Sequence, residues 1–151
     1  MSSKKLQKNN TGPTRTMASI VDEVENLVGT SPEHQADALR HNDSAALRDF
    51  LTYAFNKNCT WLIPLSDPPY KPLPKSAEQE GKFTKDMKML RYFTNTADGM
   101  SLTQRKREEM FIQMLESIDP DDAMLLLRMR RRDIRIPMAA IRIAFPDAGI
   151  V

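Results

Sequence analysis

Cysteine is almost missing from this chain: Cys59 is the only one in 151 residues. An intramolecular disulfide is therefore excluded, and an intracellular compartment fits better than a secreted one. Cys59 has no histidine beside it in a motif, so a loop or core thiol describes it better than a nucleophile. Histidine is nearly as scarce. His34 and His41 could share a helix face, but no third ligand accompanies them, which argues against a metal site. No apolar run approaches the roughly 20 residues of a membrane-spanning helix. The opening "MSSKKLQKNNTGPTR" has no apolar stretch to serve as a signal peptide. Glycines number only five, and neither a Gly-rich phosphate loop nor a Walker sequence occurs. No cofactor, metal, membrane or small-molecule substrate is expected, and no catalytic constellation stands out. A strong charge of one sign is missing too. The net charge is +2, so any polyanion-binding role must lie in how charge is distributed.

What is present is helical periodicity. Residues 1–15 are polar, basic and turn-rich and read as a flexible arm; a helical domain is expected over 16–151. "MASIVDEVENLVG" places Ile20, Val24, Leu27 and Val28 on one face, with Gly29 as its end. Ser31 is the expected N-cap of a second helix with Pro32 at its first position. Asn42 or Asp43 is the expected cap of a third, with Leu47, Phe50, Leu51, Ala54 and Phe55 turned inward. Five prolines between 64 and 74 then forbid a helix or a central strand. "TWLI" before them is a short edge strand or simply extended. Pro69 and Pro72 form a PxxP spacing of the kind proline-reading domains take, although packing between two helices explains the prolines as well. From Ala77 to Asn95 a further helix is expected, carrying Phe83, Met87, Leu90 and Phe93. "TADGMS" reads as a turn, and Ser101 with Gln104 as a capping box. The helix it opens should bury Met110, Phe111, Met114, Leu115 and Ile118. Asp119 and Pro120 start another, and Pro137 permits a last one that stops at Pro146. The expectation is an all-α fold: a compact bundle of about seven short helices with a proline-rich extended segment in the middle.

The most unusual stretch is "RMRRRDIRIPMAAIRIAFP", residues 128–146. On a continuous helix Arg128, Arg131, Arg132 and Arg135 would form a stripe. Pro137 disfavours helix at Ile136, so a bend is expected near Asp133. Arginines flanking such a turn could clasp a sugar–phosphate backbone. Equally, Asp133 could pair with Arg130 or Arg132 and the rest be solvated; the residues alone leave both readings open.

This stretch resembles the end of the N-terminal helical DNA-binding domain of ATP-dependent DNA ligases, above all the small bacteriophage enzymes. Arg132, Asp133, Ile134, Arg135 and Ile136 match an Arg-Asp-Leu-Arg-Ile-Gly type turn, and Ile141, Ala144, Phe145 and Pro146 match the closing helix. "DFLTYAFNKNCTWLI" and "LRYFTNTADGMSLTQRKREEM" resemble the family's middle segments, so the likeness spans roughly residues 17–151. Pro137 departs from the family's Gly, and the turn before Ser101 is altered. The Lys-x-Asp-Gly adenylation motif is absent, with Thr96 where its lysine would stand. The resemblance implies a non-catalytic module that grips duplex DNA through phosphates across the minor groove, without strong sequence preference. It further implies a phage-encoded accessory protein of replication, repair or genome handling, in the cytoplasm of an infected bacterium. Arg130, Arg131, Arg132, Arg135 and Arg142 would contact phosphates. Ser101, Thr103, Arg105 and Lys106, at a helix start, would form a second clasp, and Asp133 would orient an arginine. The alternative is an adaptor that kept the fold, lost DNA binding and docks on a replication or transcription protein; a methionine-rich composition suits adaptable surfaces.

Overall fold

The computed structural model describes residues 15–27, 29 and 31–151. Its α-helices are α1 (Met17–Glu25), α2 (Pro32–His41), α3 (Ala45–Phe55), α4 (Lys82–Lys85), α5 (Ala97–Met100), α6 (Gln104–Leu115), α7 (Pro120–Arg130) and α8 (Met138–Ala144), with 3-10 turns at Ala77–Gln79 and Met87–Phe93. The fold is all-α. Among the described residues the sole β-type pairing is one antiparallel bridge between Trp61 and Thr94, and no helix is long and apolar enough to cross a membrane. The basic arm expected at 1–15 lies outside the described residues as far as 14; Arg15 itself pairs with Glu23 at 2.6 Å.

Burial explains the packing. α2 lies against α8 and α1, α7 against α1, α3 and α6, and the Met87–Phe93 segment against α3, α5 and α6. Phe50, Phe83, Phe93 and Phe111 are wholly enclosed; Phe93 meets Phe111 edge-on, with centroids 5.2 Å apart. Each such ring, removed from water, stabilises by about 1.5–3 kcal/mol. In α1 the buried face is Met17, Val21 and Val24, so the helix is rotated from the expected face. Ile20 and Leu27 are only half-buried, the helix ends at Glu25 before Gly29, and Val28 lies outside the described residues.

Several caps fall elsewhere than expected, for chemical reasons. Ser44, not Asn42 or Asp43, caps α3, accepting from the Leu47 N–H at 3.0 Å. Asn42 is occupied ending α2, donating to the Ala38 carbonyl at 2.8 Å. The Asp43 carboxylate is taken by Arg48 at 2.8 and 2.9 Å, which holds it below the usual aspartate range. Ser31 does precede α2, but its hydroxyl makes no cap bond. The helix expected over 77–95 is broken by Gly81, at φ 87°, and again at Asp86; Phe83, Met87, Leu90 and Phe93 are nonetheless all buried. "TADGMS" is not a turn but carries the one-turn helix α5, capped by Thr96. Gly99 is required there, because a Cβ would stand 1.9 Å from the Thr94 carbonyl oxygen. That displaces the expected capping box. Ser101 ends α5, donating to the Asp98 carbonyl at 2.8 Å, and Thr103 caps α6 by accepting from the Lys106 N–H at 3.1 Å. On α6, Phe111, Met114 and Leu115 are buried, as is Ile118 beyond it, whereas Met110 is half-buried. Asp119 and Pro120 start α7 as their types dictate.

Candidate functional site

The arginine stretch begins where α7 stops. Leu125, Leu126, Leu127 and Met129 bury one side of that helix, and Arg131 is its C-cap. Arg132 N–H then donates to the Met129 carbonyl at 3.0 Å and Asp133 N–H to the Arg128 carbonyl at 2.9 Å. Arg132 sits at φ 59°. This is the hydrogen-bond pattern of a Schellman ending with arginine where glycine is usual. The helical stripe is thus interrupted before Asp133, at Arg131 and Arg132.

Most guanidinium groups here are bonded to other parts of the protein, although Arg131 and Arg132 remain exposed residues. Arg132 donates to the Tyr53 and Ala54 carbonyls at 3.3 and 2.7 Å and to the Cys59 carbonyl, so it closes the C-terminal end of α3, where a cation is favoured. Arg130 donates to the Ile63 carbonyl; burial, and then the charge of Arg132, pull its pKa below the ordinary arginine value. Arg131 pairs with Asp67 at 2.7 Å. Arg128 pairs with Glu25 at 2.5 Å, and the same carboxylate accepts from the Arg135 backbone N–H at 2.7 Å. Arg130, Arg131 and Arg132 therefore hold points along residues 53–67. Arg135 is the freer group, its side chain 75% exposed and 3.7 Å from Asp133; Asp133 thus faces Arg135 rather than Arg130 or Arg132. Arg142, on α8, is exposed and touches only the Met138 sulfur at 3.9 Å among the described residues.

The second basic group opens α6. Its first turn contains no acid. Arg105 is 90% exposed and pairs with Glu109 at 3.2 Å; Lys106 is exposed, and its ammonium has no ion-pair partner among the described residues. Thr103 is committed to its cap and Ser101 to α5. Sequence reasoning missed Arg107. It is 6% exposed and donates to the Gly99 carbonyl at 3.2 and 3.0 Å and the Leu102 carbonyl at 2.9 Å. The signal was its spacing, four residues before Phe111 on the buried face. Gln104 ties the start of α6 to the Leu62 carbonyl at 3.2 Å, within the 59–67 segment that Arg130, Arg131 and Arg132 also hold.

A third feature had no sequence signal beyond helix starts. A cavity of about 580 Å³ lies between the first turns of α1 and the exposed side of α7. Beside it Lys75 bridges Asp119 and Asp121 at 2.8 and 3.0 Å, and those bonds, Asp119 first, raise the lysine pKa. Asp122 is fully buried. One of its oxygens accepts from the Ala18 N–H at 2.8 Å; the other has no partner among the described residues. Burial chiefly, with Asp119 and Asp121 adding, pushes this carboxyl up to about 6. No group of three His, Cys, Asp or Glu among the described residues is arranged to hold a metal ion.

A family model described as "Family of unknown function (DUF6433)" matches residues 22–135. The matched stretch takes in α2 to α7 and both ends of the arginine turn, and leaves α8 with Arg142 outside. No curated protein and no solved structure matches the chain.

Proposed function

The chain belongs to DUF6433, a family of unknown function, and we propose from its own residues that it is a non-catalytic protein binding the sugar–phosphate backbone of duplex DNA. The observation that carries this reading is the first turn of α6. Arg105 and Lys106 stand at the positive end of the helix dipole with no acid in that turn. Cations there are unfavourable by about 0.3–1 kcal/mol each. Folding does not ask for them, and a phosphate would relieve the conflict while using the free N–H groups of the turn. Arg135 and Arg142 are the other arginines of the proposed surface, exposed and, among the described residues, with no side-chain bond to a backbone carbonyl. Arg130, Arg131 and Arg132 act on it indirectly, by fixing the segment it borders. A phage-encoded accessory role in replication, repair or genome handling belongs to the same proposal, with the ligase-domain resemblance as its support. The test is a titration with plain, nicked and single-stranded DNA at two salt concentrations. Affinity for plain duplex should fall steeply with salt and vary little with sequence. Absence of duplex binding at low salt would sink the reading.

One observation favours the second reading, a protein adaptor. A groove of about 250 Å³ is lined by Met89, Phe93, Met110 and Met114 together with Lys82, Asp86, Gln113 and Ser117. Methionine side chains adapt to varied partners. Co-purification of a single replication or transcription protein in the absence of DNA would put this reading first.

A further inference from the structure

We infer that residues 67–74 form an exposed, pre-set polyproline ridge that docks in the aromatic-lined groove of a proline-reading partner domain. The backbone there is constrained by covalent chemistry. From Asp67 to Pro74, only Tyr70 is neither a proline nor followed by one. Proline fixes its own φ, and the residue before a proline is driven to extended or polyproline geometry. Accordingly residues 64–76 form no helix or strand, and none of residues 64–75 takes part in a backbone–backbone hydrogen bond with another described residue.

A polyproline helix has three residues per turn, so every third side chain shares an edge. From Pro69 to Ser76 burial follows that period. Tyr70, Leu73 and Ser76 are half-buried; Pro69, Pro72 and Lys75 are exposed, and so are Lys71 and Pro74. Over that stretch one edge is seated on the protein and two are open; upstream the pattern breaks, with Pro68 half-buried and Asp67 exposed. Domains that read such helices use apolar pockets lined by aromatic rings, and two open edges let them do so without displacing anything.

The ridge is also held in place. Asp67 is fixed by Arg131 at 2.7 Å, the Lys71 N–H by the Glu116 carboxylate at 2.8 Å, and Lys75 by Asp119 at 2.8 Å. Anchoring at three points removes much of the ordering cost of association. The Lys71 ammonium has no partner among the described residues, so the complementary groove carries a carboxylate on that flank. At the upstream end Leu65 is 65% exposed. A notch of about 240 Å³ opens beside Pro68 and Pro69 against Phe111 and Ile112, edged by Ser66, Asp67 and Glu108, with room for part of an aromatic side chain.

This surface is independent of the basic first turn of α6, and its test uses no DNA. Purified SH3, WW and EVH1 domains serve as probes, each titrated with the full chain by calorimetry. Saturable one-to-one binding by at least one domain is expected. Pro69→Ala combined with Pro72→Ala should weaken it at least tenfold, with an unchanged circular dichroism spectrum because both rings are exposed. Lys71→Glu, which leaves the prolines intact, should weaken it as well. Binding by none of the domains, or binding that either variant leaves unchanged, overturns the inference.

Discussion

Asp122 and Arg132 show opposite ways in which a single residue bears the cost of its position. Asp122 puts a carboxyl in the interior with one N–H to answer it. Its pKa of about 6 against an ordinary 3.8 means that the folded state holds its proton longer than the unfolded chain does. The protonated form is the favourable one, so this residue's contribution is complete below pH 4 and is lost as pH rises through 6. At about 1.4 kcal/mol per unit, the loss is on the order of 3 kcal/mol. Asp122→Asn keeps the oxygen that accepts from Ala18 and never ionises. The stability difference between variant and parent, from denaturant unfolding, should grow in favour of the variant between pH 4 and 6 and level off above. A parallel pH profile for both proteins would refute the account. Arg132 is strained in its backbone and compensated in its side chain. A left-handed conformation costs a non-glycine residue about 1–2 kcal/mol, while the guanidinium secures three carbonyls on α3 and the chain after it. Arg132→Ala loses the clamp and keeps the strain; Arg132→Gly loses both. The expected order of stability is parent, then Gly, then Ala, with Gly above Ala by about 1 kcal/mol. A Gly variant more stable than the parent would show that the clamp contributes little. Neither role was legible in the sequence. A buried aspartate in the first turn of α7 has the same local pattern as an exposed one, and the usual mark of a Schellman ending is glycine.

Among the elements, legibility tracked how local the determining chemistry was. Asp119-Pro120 and Ser31-Pro32 set helix starts by their own covalent geometry, and both starts fall where those residues put them. The proline segment is without helix or strand for the same reason. The 77–95 stretch kept its apolar spacing and lost its continuity, because Gly81 and Asp86 break the backbone while tertiary burial still collects Phe83, Met87, Leu90 and Phe93. α6 starts two residues later than its capping pattern implies, because Ser101 and Thr103 are chemically alike. What separates them is α5, an element of four residues that spacing does not reveal. Capping energetics can check this assignment. Thr103→Ala removes the acceptor of the Lys106 N–H and should cost about 1 kcal/mol. Ser101→Ala removes a surface hydroxyl that only bonds back to Asp98 and should cost clearly less. Equal losses in thermal or denaturant unfolding would return the cap to Ser101.

At the scale of the whole molecule, a net charge of +2 coexists with arginines that are mostly spoken for. Arg128, Arg130, Arg131 and Arg132 bind acids or carbonyls within the fold, so the charge visible from outside is smaller at this corner than the sequence suggests. That is why the candidate site was only half legible. Spacing located the basic groups, but which guanidinium faces solvent depends on where Asp67, Glu25 and the end of α3 arrive in space. The proposed DNA surface therefore divides by variant. Arg105→Ala with Lys106→Ala should weaken binding to all duplex sequences alike and lower the slope of log affinity against log salt by about 0.9 for every phosphate no longer neutralised. The same variant should melt no lower than the parent, because it relieves two cations at the positive end of α6 and places alanine, a stronger helix former, in an exposed turn. Arg135→Ala with Arg142→Ala should also lower the slope and leave folding intact, since both side chains are exposed. Arg130→Ala should instead destabilise the protein by freeing the Ile63 carbonyl, and should affect DNA only in proportion to unfolding. A slope unchanged in both exposed double variants would remove the basis for backbone binding and leave the methionine-lined groove as the surface to pursue.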